Sequence, residues 1–238
     1  MEADTERATA ARIAPDQRLQ RRALGAIAGS QLLVLTLWFS ASAVAPQLEL
    51  DWGLTSGEAA GLTIAVQIGF VVGALASALL SIADVVPARR LFVISALVGA
   101  GVNVALVALS PGDTMQAFGL RFATGVALAG VYPSGLKVMA GWFRRGRGMA
   151  LGVLVGALTV GSAAPHLIRG IGLGWRGVLF TASLLAVGGA VVMFSMVGDG
   201  PYETTPSAFS WRHVGSVVSN RGVRFSTYGY LGHMWELY

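Results

Sequence analysis

Residues 118–148 read FGLRFATGVALAGVYPSGLKVMAGWFRRGRG, and the placement of charge within them decides the fold. Arg121 stands inside an apolar run, 15 uncharged residues separate it from Lys137, and Arg144, Arg145 and Arg147 close the stretch. A bilayer accounts for that order. The arginine cluster reads as a cytoplasmic edge, the uncharged run as a spanning helix, and Arg121 as a charge held within the membrane boundary. Gly130 and Pro133 read as an interruption of that helix, where a backbone carbonyl would be released and the axis kinked.

Composition agrees. The chain is 54% hydrophobic and 12% charged over 238 residues, against roughly 25% charged for soluble domains. A formal net charge of +5 is compatible with nucleic acid as a partner, yet the basic residues fall in short clusters between apolar runs and form no continuous patch. The absence of cysteine excludes disulfides and thiolate chemistry. His166, His213 and His233 are too scattered for a zinc motif, so neither metal nor cofactor is expected.

Five further uncharged runs are long enough for spanning helices of ~20 residues: Ala23 to Leu48, Ala59 to Ala83, Leu91 to Gly112, Gly148 to Ile168 and Gly177 to Gly198. With the stretch around Arg121 they predict an all-α, polytopic bundle of six transmembrane helices. Residues 1–22 read as a cytoplasmic tail, 23–198 as the six-span unit, 199–222 as a cytoplasmic loop, and 223–238 as the opening of a seventh span. Sixteen residues rise only ~24 Å as a helix, so that last span is expected to continue beyond the sequence given.

Loop charge orients the bundle. The tail carries Arg7, Arg12, Arg18, Arg21 and Arg22; Arg89 and Arg90 follow the second span; Arg144, Arg145 and Arg147 follow the fourth; Arg212, Arg221 and Arg224 follow the sixth. The opposite loops hold Arg169 and Arg176. Positive-inside bias therefore places the N-terminus in the cytoplasm.

Glycines spaced by four, Gly69 with Gly73 and Gly148 with Gly152 and Gly156, predict close helix approach. They fall in the second and fifth spans, equivalent places if the six form two units of three. Soluble-enzyme patterns fail in context. Gly172, Gly174 and Gly177 have dinucleotide-fingerprint spacing but follow a membrane-length run and not a strand.

Three places resemble the major facilitator superfamily, whose members have twelve helices in two halves of six. LSIADVVPARRLF after the second span keeps the Asp84, Arg89 and Arg90 of that family's loop, with Leu80, Val85 and Pro87 where glycine, arginine and glycine are usual. Arg121 and Gly125 in RFATG match its Arg-x-x-x-Gly in the fourth helix. Gly152, Gly161 and Pro165 in the fifth span are similar to the antiporter glycine and proline series, although Ala164 replaces the paired glycine. The resemblance implies a secondary transporter of a bacterial inner membrane, working by alternating access, with a second six-helix half as its partner beside lipid and a small-molecule substrate. It implies an inner-face latch of Asp84, Arg89 and Arg90.

The polar residues suggest the cargo. Arg121 and Tyr132 share one helical face, and a cavity-facing guanidinium suits a small organic or inorganic anion. Gln31 and Gln67 are candidates for the same path, or for helix-to-helix hydrogen bonds. His233 and Glu236 stand three apart and are candidates for a proton relay driving transport. A proton-coupled drug exporter of the same fold and a non-transporting membrane module are the alternatives, and no enzyme chemistry is encoded in a motif.

Overall fold

The computed structural model describes residues 16–202 and 219–237. The chain divides after residue 205 into two compact units. The second contributes one described helix, Arg221–Leu237. Among the described residues the regular structure is helical.

The first unit holds α1 (Gln17–Leu35), α2 (Ser40–Trp52), α3 (Ser56–Leu79), the short α4 (Ile82–Val85), α5 (Ala88–Ala105), α6 (Thr114–Trp142), α7 (Arg147–Gly170) and α8 (Trp175–Met196). The helix of the second unit is α9. Local chemistry sets the boundaries. Asp16 caps α1 by accepting from Arg18 N at 2.9 Å, and Gly53 closes α2 in the left-handed conformation at φ 66°. Thr55 and Glu58 form a reciprocal capping box at the start of α3, with Thr55 N donating to Glu58 Oε2 at 2.8 Å.

Five segments are long and apolar enough to cross a membrane: α1 with α2, α3, α5 with its 3-10 extension, α7 and α8. Their outward faces carry Ile64, Ile68, Val71, Leu75, Leu97, Val160, Leu184 and Phe194 in exposed positions. So continuous an apolar surface is stable in lipid and not in water. At 29 residues α6 spans ~44 Å, yet it is not among the five. One side of it is buried, with Ala117, Arg121, Thr124, Leu128, Val131 and Val138 against protein, so protein rather than lipid solvates the polar groups on that side.

Two expected features of the spans are corrected. The first span is not one helix from Ala23 to Leu48: it breaks at Thr36–Phe39, between α1 and α2. In α6 there is no interruption at Gly130 or Pro133, and the helix runs through both. A proline removes a single rung of the ladder, and the bonds on either side carry the helix past it. Gly130 serves packing instead, since a Cβ there would meet the Ser95 side chain of α5 at 2.9 Å.

Backbones meet where glycine permits. A Cβ on Gly125 would strike the carbonyl of Val66 and stand 2.7 Å from Phe70 N, and one on Gly69 would strike the carbonyl of Phe122, so α3 and α6 cross in direct backbone contact. Around α1, Gly161 of α7 faces the Leu32 backbone, and a Cβ on Gly189 of α8 would lie 2.8 Å from Ser30 O. Gly148, Gly152 and Gly156 behave otherwise: nothing lies within 4 Å of a Cβ at any of them. The expected approach through that series is not made within this unit.

The loop arginines segregate by end. Gln20 Nε2 donates to Trp142 O at 3.2 Å, joining the start of α1, with Arg18, Arg21 and Arg22, to the end of α6, beside Arg144 and Arg145. At the opposite end Arg169 donates to Ala43 O at 3.2 Å and Arg176 to Val107 O at 3.3 Å.

These contacts predict a contrast among glycines. Gly125→Ala and Gly69→Ala should each lower stability by about 1–3 kcal/mol, because carbonyl groups cannot step aside as side chains do. Gly152→Ala should leave the apparent Tm of the detergent-solubilised protein unchanged or slightly raised. Equal Tm values for all three variants would refute the crossing of α3 and α6.

Candidate functional site: a buried guanidinium at a helix break

An α-helix that stops within lipid leaves carbonyls without donors. At Thr36–Phe39 the chain tightens, with Leu37 N reaching Val34 O at 3.2 Å and Trp38 N reaching Leu35 O at 3.1 Å, and α2 begins when Ala43 N donates to Phe39 O at 2.9 Å. Arg121 supplies donors to the carbonyls between. Its Nη1 donates to Leu37 O at 3.2 Å and its Nη2 to Trp38 O at 2.6 Å. A cation at the C-terminal end of α1 also opposes the negative pole of the helix dipole.

The remaining contacts draw in three more helices. Nε donates to Leu62 O of α3 at 3.4 Å, and Nη1 also reaches Asn103 Oδ1 of α5 at 3.1 Å and Ser40 Oγ of α2 at 3.3 Å. Asn103 carries the network onward, its Nδ2 donating to Leu179 O at 3.2 Å and Ser183 Oγ at 3.0 Å on α8. Ser40 Oγ lies 2.8 Å from Asn103 Oδ1. Arg121 is 0% exposed. The expectation that it faces an open cavity is therefore corrected, for the guanidinium is enclosed by five acceptors on four neighbouring elements.

Every one of those acceptors is neutral. Carbonyls, an amide and a hydroxyl satisfy the N–H groups by dipole, and leave the unit charge uncancelled. Among the described residues no carboxylate pairs with Arg121.

The other predicted residues are dispersed. Tyr132 is half-buried on α6, eleven residues and ~16 Å along the axis from Arg121. Gln31 is buried against Gly135 of α6, with both amide atoms unpartnered. Gln67 is half-buried on α3. Arg89 donates to Val197 O at 2.8 Å and pairs with Asp199 at 3.7 Å at the end of α8, while Arg90 is exposed. Pro165 is buried in α7 while His166 beside it is exposed. The side chains of Asp84, His233 and Glu236 lie outside the described residues.

Sequence reasoning did not single out Asn103, Ser40 or Trp38 as site residues. An amide within an otherwise apolar run was the available signal for Asn103. Ser40 and the carbonyls of Leu37 and Trp38 had none, because their role depends on a break that no proline or glycine marks.

The family model of the Major Facilitator Superfamily matches residues 27–235 of this chain. No curated protein matches it.

The network predicts unequal costs for its members. Asn103→Ala removes an acceptor from a buried cation and unpairs groups on α8. It should lower stability by about 2–4 kcal/mol, ~5 to 15 °C in apparent Tm. Ser183→Ala loses one neutral bond and should cost ~1 kcal/mol. Thermal unfolding in detergent separates the two, and equal losses would mean that Asn103 does not support the guanidinium.

Proposed function

This chain belongs to the major facilitator superfamily, a family of membrane transporters, and from that premise we propose that its cargo is a small organic or inorganic anion, moved with protons across a bacterial inner membrane. The observation that carries the proposal is the uncancelled charge of Arg121. The protein holds a cation in a low-dielectric interior by means of dipoles alone, and such a site favours an anion and repels a cation. Nη2 bears two hydrogens and has one acceptor, Trp38 O, so one charged donor remains to be matched when the surroundings rearrange.

Protons as the driving ion follow from the same charge accounting. An anion accompanied by a proton crosses ~30 Å of hydrocarbon as a neutral pair, whereas an anion alone carries its full desolvation cost. His233 and Glu236 on α9 are the groups proposed to handle that proton. The end that gathers Arg18, Arg21, Arg22, Arg144 and Arg145 is proposed as cytoplasmic, by positive-inside bias. A second half packed against this bundle is proposed as the partner with which it rocks. Export of lipophilic cations is disfavoured, because the buried charge raises the energy of such a cargo.

Asn103→Asp tests the charge without removing the arginine. It sets a carboxylate where an amide oxygen stands 3.1 Å from Nη1 and cancels the field while keeping the acceptor. In a thermal-shift panel of small carboxylates, inorganic anions and lipophilic cations, anions should stabilise the wild-type protein in proportion to RT ln(1 + [L]/Kd). They should not stabilise Asn103→Asp. Stabilisation by cations, or anion shifts unchanged in the variant, would refute the proposal.

A further inference from the structure

The break in the first span presents a second feature beside the guanidinium. Trp38 follows Leu37 in the turn, and its ring lies against Phe70 of α3 with centroids 4.9 Å apart at 59°. Its indole N–H is buried and has no hydrogen-bond partner. A buried indole donor ordinarily finds an acceptor, so an unpaired one marks a place where an acceptor is missing.

The facing stretch of α3 is built to match. Ser42 of α2 hydrogen-bonds Thr63 of α3, and seven residues further along α3 Phe70 meets Trp38. Between these contacts lies Gln67, four residues from Thr63 and three from Phe70, hence on the same face. Its side chain is half-buried and makes no hydrogen bond among the described residues. The backbone of Trp38 accepts the 2.6 Å bond from Arg121 Nη2, which brings the positive charge to the same turn.

We infer that Trp38, Gln67 and Phe70 form a subsite for an organic monoanion with a flat apolar body, its carboxylate taking the indole N–H and the Gln67 amide and its body lying against the two aromatic rings. The inference rests on the anion reading above and narrows it. A hydrated inorganic ion gains nothing from two aromatic walls, whereas an aryl carboxylate uses both the donors and the walls. Arg121 contributes its field, and the ligand's own donors come from Trp38 and Gln67.

Benzoate, benzamide and inorganic phosphate are the probes, each titrated by thermal shift against the wild-type protein, Trp38→Phe and Phe70→Leu. Trp38→Phe keeps an aromatic ring against Phe70 and removes the N–H. Benzoate should stabilise the wild type and bind about tenfold more weakly to Trp38→Phe. Phe70→Leu should weaken benzoate while leaving any response to phosphate unchanged. Undiminished benzoate binding by Trp38→Phe, or no response to benzoate in the wild type, would overturn the subsite. Stabilisation by phosphate but not benzoate would overturn it while leaving the anion reading intact. Equal stabilisation by benzamide and benzoate, lost in Trp38→Phe, would keep the subsite and remove the anion reading.

Discussion

The structure depends on a mutual dependence between a charge and a gap. Placed in hydrocarbon alone, a guanidinium is costly, and so is a helix that ends with bare carbonyls. Arg121 and the break at Thr36–Phe39 remove each other's cost, the cation giving its hydrogens to Leu37 O and Trp38 O and the carbonyls giving the cation its solvation shell. Neither is stable without the other. A leucine at position 121 would remove the buried charge and leave Trp38 O without its donor, and an unbroken first span would withdraw the carbonyls that make the arginine tolerable.

From that pair the rest of the bundle is tied together. Leu62 brings in α3, and Asn103 brings in α5 and, through Leu179 and Ser183, α8. Lipid offers little driving force for association, because its tails are as apolar as the helices. Hydrogen bonds in the interior and tight backbone crossings must therefore supply much of the specificity. The crossings at Gly125, Gly69, Gly161 and Gly189 bring α3 against α6 and set α7 and α8 around α1.

How much of this was legible follows from the range of each signal. Span lengths and loop charges are local properties that the bilayer reads directly, so the all-helical membrane class, the presence of several apolar spans and the sorting of arginines between the two ends were visible in the sequence. Register along a helix was visible too, as Arg121 and Gly125 show. Neighbourhood was not. Gly152 and Gly161 carry the same local signal, and only packing distinguishes the one with nothing within 4 Å from the one set on the Leu32 backbone. Pro133 suggested a break that α6 does not make, and the real break carries no proline or glycine. Its partner lies outside the first span: the freed carbonyls are matched by Arg121, which the sequence separates from Trp38 by 83 residues.

A network of dipoles also differs from one of ion pairs in what it allows. A carboxylate paired with Arg121 in this interior would bind it strongly and cancel its charge, and parting the two would expose both to low dielectric. Carbonyls, an amide and a hydroxyl hold the same cation by several weaker bonds, no one of which cancels its charge. An ion pair among the described residues stands at the end of the bundle, where Arg89 meets Asp199 just beyond the last turn of α8 and water lowers the cost of separation. The interior thus keeps a charge held in position by dipoles, and the exposed pair of Arg89 with Asp199 stands where breaking it costs least.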